Sequence, residues 1–198
     1  LREGKHIAPL AKAVEAIKAA NWKAPDMFAP FSEVSATQQA ANGFSERVKG
    51  GWWERITVDA RYSLGHFQIK LEELYNAVQM EGSVYDAAGN LEAHWRSTAA
   101  AVDTGDGKII YVRKCKNPNR ATDEWYHGFG EMEFEDSENP QRGSGRFCDV
   151  VRTRSNRPVV RPVALRRATE EEGWKIRTDI SVKPLIVKTL KSFPKENA

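Results

Sequence analysis

Cysteine is scarce in this chain. Only Cys115 and Cys148 occur among its 198 residues, and neither belongs to a Cys-x-x-Cys motif or to a cluster with histidine. A zinc site is therefore not expected, because structural zinc sites need four clustered ligands. So little cysteine fits a reducing compartment, in which both residues would be buried thiols, while one disulfide between them stays an alternative. The sequence predicts a cytoplasmic protein.

Long apolar runs are missing as well. The two best, Thr98 to Val102 and Pro184 to Val187, are far shorter than the roughly 20 apolar residues that a membrane-spanning helix needs. The chain begins at Leu1 and lacks the basic and apolar segments of a signal peptide. We expect a trimmed chain, in which any membrane attachment would come through residues that are not present.

Signatures of common enzymes are also absent. The chain has no Gly-x-Ser-x-Gly elbow, no His-Glu-x-x-His helix and no glycine-rich phosphate loop. Alternate glutamates from Glu131 to Glu135 are typical of a solvated strand face. Catalysis, a cofactor and a metal site are therefore not expected. One enzymatic alternative stays open, in which His127 or His94 and a glutamate form an acid/base pair inside a closed barrel.

Charge is distributed unevenly along the chain. Residues 50–149 carry 17 acidic and 11 basic side chains, whereas residues 150–198 carry 12 basic and 5 acidic ones. The acidic middle would repel a polyanion, so duplex nucleic acid is not an expected partner there. Six arginines fall within residues 152–167. A basic rim, a nucleic-acid patch and a solvated edge strand would each explain them.

Three segments can be distinguished along the chain. Residues 7–20 place apolar side chains at helical spacing and are rich in alanine, which favours an amphipathic helix. After Pro25 and Pro30, short runs of strand-forming residues begin at Gly50. We predict an N-terminal helical segment at 1–49, a β-barrel at 50–168 and a C-terminal extension at 169–198. Within the extension, residues 169–172 indicate a helix start or a turn, and residues 174–190 a strand followed by a helix.

The middle segment contains eight runs typical of antiparallel strands, separated by turn-forming residues. An open sheet of that size would leave two edges to protect, which favours closure. The predicted fold is mainly β, an antiparallel, about eight-stranded, lipocalin-like β-barrel. The runs are Trp52 to Val58, His66 to Leu74, Ala77 to Tyr85, Leu91 to Val102, Lys108 to Cys115, Glu124 to Glu135, Gly145 to Arg154 and Val159 to Arg167.

Alternation along the runs indicates which side chains face inward. In the sixth run, the face that carries Tyr126, Met132 and Phe134 together with two glycines is the expected inner one. In the fifth run, Tyr111 and Arg113 share a face, but the pattern does not decide between inside and outside. If they point inward, the barrel contains a cation and an aromatic hydroxyl, which need partners when buried.

Aromatic and arginine side chains are interleaved on neighbouring runs, and they are the most informative polar feature. Aromatic faces stack on nucleobases, and the arginine fork matches phosphate. A plain barrel core with surface arginines is the alternative. The aromatic residues are Trp95, Tyr111, Trp125, Tyr126 and Phe147, and the arginines are Arg96, Arg113, Arg146 and Arg152.

Several short motifs occur in an order that resembles a known family. Gly51-Trp52-Trp53 opens the barrel, Gly107-Lys108-Ile109-Ile110-Tyr111-Val112 precedes Asn117-Pro118, and residues 126–134 and 142–147 supply further motifs. This order, over residues 50–168, resembles the β-barrel sensor domains of bacterial CBASS-type anti-phage effectors, which respond to cyclic oligonucleotides. The resemblance implies a barrel that binds a cyclic dinucleotide, associates with itself and signals to an attached effector. The family's typical pair of membrane-spanning helices has no counterpart in residues 1–49.

The leading hypothesis is a ligand-binding barrel that senses a cyclic dinucleotide or a similar anionic nucleotide in antiviral defence. Trp95, Tyr111 and Tyr126 are the candidate stacking residues, and Arg113 and Arg146 are the candidate phosphate-binding residues. A lipocalin-like carrier of an apolar small molecule is the main alternative, since such a carrier needs an interior with few charges.

Overall fold

The computed structural model describes residues 43–58, 61–72, 77–103, 106–119, 125–150, 159–178 and 182–193. The predicted helix at residues 7–20 lies outside these ranges. So do Arg152, Arg154 and Arg157, half of the arginine-rich stretch.

Eight antiparallel strands form a closed barrel, in which each strand pairs with its neighbours in sequence and the last pairs with the first. The predicted mainly-β, eight-stranded antiparallel barrel is therefore confirmed. A short helix, α1 at residues 43–48, precedes it, and α2 (Glu170–Arg177) and α3 (Val182–Ser192) follow it. The strands are β1 (Gly50–Val58), β2 (Arg61–Glu72), β3 (Ala77–Tyr85), β4 (Leu91–Asp103), β5 (Lys108–Lys116), β6 (Trp125–Phe134), β7 (Arg142–Val150) and β8 (Val159–Arg167).

Strand β7 begins three residues before the predicted Gly145. The sequence prediction assigned Arg142 to Gly143 to a turn because of the glycine, but both residues pair with β8. A Cβ at Gly143 would run into the Glu133 carbonyl oxygen of β6, and one at Gly145 into the Glu131 carbonyl oxygen. These glycines therefore let two strands approach closely instead of forming a turn.

The predicted strand after Trp174 is wrong, because this residue lies within α2. Thr169 caps that helix: its hydroxyl accepts from the Glu172 backbone N–H at 3.2 Å, and the Glu172 carboxylate accepts from the Thr169 N–H at 2.9 Å. This reciprocal capping, with three glutamates in the first turn, favours a helix over an extended chain. Of the two alternatives for residues 169–172, a helix start and a turn, the structure shows the helix start.

The strand connections define two ends of the barrel. The lower end carries the start of β1 and the end of β8, and α1 packs there: Phe44 and Val48 are buried in the barrel core. The Phe44 and Phe134 ring centroids are 6.1 Å apart, and the Trp52 indole N–H donates to the Val48 carbonyl oxygen at 2.8 Å. The upper end carries the connections β1–β2, β3–β4, β5–β6 and β7–β8.

Helices α2 and α3 cover the outer face of β1 and β2. Trp53 and Leu64 point outward from these strands and pack with Ile186 and Phe193 in a second apolar cluster. The Trp53 indole N–H donates to the Glu172 carboxylate at 3.1 Å. None of the described helices is long and apolar enough to cross a membrane.

Candidate functional site

The barrel interior is apolar in its lower half and combines apolar with polar side chains in its upper half. Trp52, Met132 and Leu165 are among the buried apolar residues near the lower end. The upper half holds five side chains from β1, β4, β5 and β7, each at most 8% exposed, which we name the interior polar cluster. They are Glu54, Trp95, Tyr111, Arg113 and Asp149. Two acids, a cation and two polar aromatic groups thus share a volume shielded from water.

Arg113 and Asp149 form the buried ion pair of this cluster. Arg113 Nη2 lies 3.0 Å from Asp149 Oδ1, and Arg161 Nη1 lies 3.4 Å from Asp149 Oδ2. The Arg113 guanidinium also packs over the Phe147 ring, with its Cζ 3.8 Å from the centroid. Burial alone would lower the pKa of Arg113, but Asp149 and other neighbours raise that pKa well above its ordinary value. Arg113 is therefore a permanent cation.

Glu54 is fully buried, and neither of its carboxylate oxygens has a hydrogen-bond partner among the described residues. Burial raises the pKa of Glu54 to about 7, against the attraction of Arg113 and with the repulsion of Asp149. The Trp95 indole lies close enough to favour the charged form, yet its N–H makes no hydrogen bond of ordinary geometry with the carboxylate. Near neutral pH, Glu54 is thus present in both protonation states.

Trp95 and Tyr111 stack on each other inside the barrel, with ring centroids 5.9 Å apart and planes 22° apart. The Tyr111 hydroxyl and the Trp95 indole N–H are buried and have no hydrogen-bond partner among the described residues. Burial raises the pKa of Tyr111, so the hydroxyl stays protonated and is available as a donor.

Glycines on neighbouring strands make room for the cluster. Glu54 is paired with Gly65, Tyr111 with Gly130 and Arg113 with Gly128. A Cβ at Gly65 would lie 2.8 Å from Glu54 Cδ, one at Gly130 2.5 Å from Tyr111 Cε1, and one at Gly128 2.7 Å from Asp149 Oδ1. Each of these polar side chains therefore occupies the space that a neighbouring side chain would need.

Three of the five predicted site residues meet in the cluster: Trp95, Tyr111 and Arg113. Tyr126 is half-buried near the upper end, beside Cys115, on the predicted inner face of β6. Arg146 lies on the outer face instead, where its Nε is 2.6 Å from Glu131 Oε1. The structure therefore places the two predicted phosphate-binding arginines on opposite sides of the barrel wall.

Sequence reasoning missed Glu54 and Asp149, although a signal for each was present. Glu54 alternates with Trp52 and Ile56, and Asp149 with Phe147, so the period of two puts each acid on the same strand face as large apolar side chains. The histidines of the enzymatic alternative, His94 and His127, are exposed on the outer surface. Among the described residues, no three His, Cys, Asp or Glu side chains are grouped as a metal site would require.

A shallow pocket of about 190 Å³ occurs on the outer face, lined by Lys108, Glu131, Glu133, Ser144, Gly145 and Arg146. None of its lining residues belongs to the interior polar cluster, and its charges already pair with one another. The cluster itself is closed over by side chains. Tyr126 and Arg161, near the upper end, are the partly exposed residues beside it.

Comparison of the chain with protein-family models, with curated proteins and with solved structures finds no match. The resemblance to cyclic-oligonucleotide sensor barrels stays a prediction from the sequence, and the barrel architecture is the part of it that the structure bears out.

Proposed function

We propose that this chain is a ligand-binding barrel that recognises a small anionic molecule of the nucleotide class in the upper half of its interior. A cyclic dinucleotide is the first candidate. The resemblance found in the sequence supports this choice of ligand, and the interior polar cluster supports the choice of site.

The observation that carries the proposal is a set of unpaired donor atoms that outnumbers the two unpaired carboxylate oxygens of Glu54. Trp95 Nε1, Tyr111 Oη, and Arg113 Nε and Nη1 are buried and have no acceptor among the described residues. Buried polar atoms in proteins are nearly always satisfied by protein, water or ligand. Four donor atoms, two of them on the Arg113 guanidinium, fit an acceptor-rich group such as a phosphate, and the stacked aromatic rings fit a base.

The same atoms disfavour the apolar carrier. A fatty acid tail or a retinoid in the upper half would leave each donor unpaired, at a cost of about 1–3 kcal/mol apiece. It would also leave the Arg113–Asp149 pair and Glu54 surrounded by hydrocarbon. An eight-stranded barrel holds its own side chains or one small ligand. We therefore propose that the phosphate group enters from the upper end and reaches Arg113.

Calorimetric titration tests the proposal with two panels. The first contains cyclic di-AMP, cyclic di-GMP, cyclic di-UMP and cyclic GMP–AMP; the second contains palmitate and retinol. We expect saturable binding of at least one cyclic dinucleotide and none of the apolar probes. Tight uptake of an apolar probe, with no response to any nucleotide, would establish the carrier in place of the sensor.

Two variants locate the site without dismantling the barrel. Tyr111→Phe removes a hydroxyl that has no partner among the described residues, so thermal stability should hold or rise while nucleotide affinity falls about tenfold. Arg113→Lys keeps the buried charge but loses the fork, and should weaken binding by about tenfold or more. Arg146→Ala is the matched control, because this arginine lies on the outer face. Equal losses in the Arg113 and Arg146 variants would place the ligand elsewhere.

The resemblance also leads us to propose self-association of the barrel and signalling to an attached effector. Sedimentation velocity of the chain, with and without saturating cyclic dinucleotide, measures the first of these directly. A monomer under both conditions would contradict the self-association.

A further inference from the structure

Glu54 is the member of the interior polar cluster whose charge state varies near neutral pH. The pKa of Arg113 is raised well above its ordinary value, so this residue stays charged. Burial raises the pKa of Tyr111, and raises that of the Cys115 thiol to about 12, so both stay neutral. Glu54, with its pKa near 7, is the exception.

The charged and titratable groups that act on Glu54 come from two other strands. Its partner on β2 is Gly65, which contributes no charge. Among the described residues, these groups are Tyr111, Arg113 and Cys115 on β5 and Asp149 on β7. Arg113 is the cation among them, and Asp149 already contacts both Arg113 and Arg161.

An incoming anion changes this balance of charge. Asp149 already compensates part of the positive charge of Arg113, and the ligand would compensate the rest. The carboxylate of Glu54 would then be a buried negative charge beside two others, without a hydrogen bond of ordinary geometry from any described residue to stabilise it. Like charges in a medium of low dielectric constant strongly favour the neutral acid.

We infer that Glu54 takes up a proton as the anionic ligand binds, so that the barrel binds an anion and a proton together. The proton comes from solvent and forms an O–H bond on one carboxylate oxygen. The neutral acid then adds a further donor to the site, directed at the acceptors of the ligand. This inference rests on the proposed function, because it requires that an anion bind in the cluster.

Calorimetry in two buffers of different ionisation enthalpy counts the protons taken up. The probe is the cyclic dinucleotide of the four above that binds most tightly, because phosphodiesters do not titrate between pH 6 and 9. With a free pKa of about 7, uptake should be about 0.9 proton per ligand at pH 8 and about 0.1 at pH 6. Affinity should fall about tenfold per pH unit above pH 7.

The number of protons that the wild type takes up on binding tests the inference directly, and two variants identify the residue that takes up the proton. Glu54→Gln imitates the neutral acid and should bind at pH 8 as tightly as the wild type binds at pH 6, without uptake. Glu133→Gln, an exposed outer-face control, should leave uptake unchanged. Binding without proton uptake at pH 8 overturns the inference and leaves the proposed function intact. Failure of all four dinucleotides to bind overturns both.

Discussion

Glu54 on β1 and Gly65 on β2 lie directly opposite each other, and the Glu54 carboxyl group occupies the space that a side chain at residue 65 would fill. Both residues are buried. The interior acid is therefore encoded at two positions: one supplies the carboxyl group, and the other supplies the room for it.

Gly65→Ala should destabilise the fold, because the new methyl group meets the Glu54 side chain within van der Waals distance. Overpacking of this kind costs about 1–3 kcal/mol. Replacing Glu54 with alanine as well removes the clash, so the double variant should lose less than the sum of the single losses. Urea unfolding of all three variants measures this coupling. Gly43→Ala is the control, since a Cβ there meets nothing within 4 Å; additive losses would contradict the contact.

The stability of the protein should depend on pH through Glu54. The pKa of Glu54 rises from 4.5 to about 7 on folding because of burial, so the folded state binds this proton more tightly. Proton binding at Glu54 stabilises the folded state in full below pH 4.5. This stabilisation, roughly 3 kcal/mol, is lost as the pH rises through 7. The free energy of unfolding of Glu54→Gln, relative to that of the wild type, should therefore increase as the pH rises from 5 to 8. Urea unfolding at pH 5, 6, 7 and 8 measures the difference; a constant difference across that range would contradict the prediction.

The stability linked to His66 should depend on pH in the opposite direction. It is buried beneath α2 against Trp53, with ring centroids 4.9 Å apart, and burial lowers the pKa of His66 from 6.5 to about 4. Stability linked to this residue is present above pH 6.5 and is lost as pH falls towards 4, by roughly 3 kcal/mol. His66→Phe should therefore lose less stability than the wild type between pH 6.5 and pH 4. Thermal melts across this range test it, with His94→Phe on the exposed surface as the control.

Much of the barrel could be predicted from particular elements. The bounds of β3 were predicted as found, because Ala77 to Tyr85 alternates and then meets a strong turn. In that turn, Gly89 has a φ of 82°, and Asp86 accepts from the Ala88 and Asn90 N–H groups. The start of β7 could not be predicted from its own sequence. Gly143 lets β7 lie close to β6 there, and this requirement comes from β6.

The site was predicted only in part, because the period of two identifies a face without saying which side it lies on. Arg113 and Arg146 both stand beside aromatic residues, yet the first points inward and the second outward. Glu54 follows two tryptophans that face opposite sides of the wall, Trp52 inward and Trp53 towards the helices. The local sequence does not show which of the two strand faces points into the barrel. The register across the barrel distinguishes them, because it places a glycine opposite each side chain of the interior polar cluster.

The buried ion pair should respond asymmetrically to substitution. Asp149→Ala leaves the Arg113 guanidinium buried without its carboxylate, which costs about 3–5 kcal/mol. Replacing both residues with apolar ones of similar size, Arg113→Met with Asp149→Leu, should recover most of that loss, because no buried charge remains. Chemical unfolding of the single and double variants measures the recovery. Lys70→Ala, which breaks an exposed pair with Glu81, is the control and should cost less than about 1 kcal/mol. A double variant less stable than Asp149→Ala would contradict this account.

The lower end of the barrel gives the last prediction, which concerns the boundary drawn at residue 49. Phe44 and Val48 of α1 are buried in the barrel core, and Arg167 at the end of β8 donates to the Arg47 carbonyl oxygen at 2.9 Å. A chain that starts at residue 50 should therefore be less stable than one that starts at residue 43, by about 4 kcal/mol. Phe44→Ala in the full chain should reproduce most of this loss, since removing a buried phenylalanine costs about 3–5 kcal/mol. Glu46→Ala, on the exposed side of α1, should change stability by less than about 0.5 kcal/mol. Urea midpoints of the two truncated chains and the two variants provide the comparison; equal midpoints for the two chains would show that the barrel closes its lower end without α1.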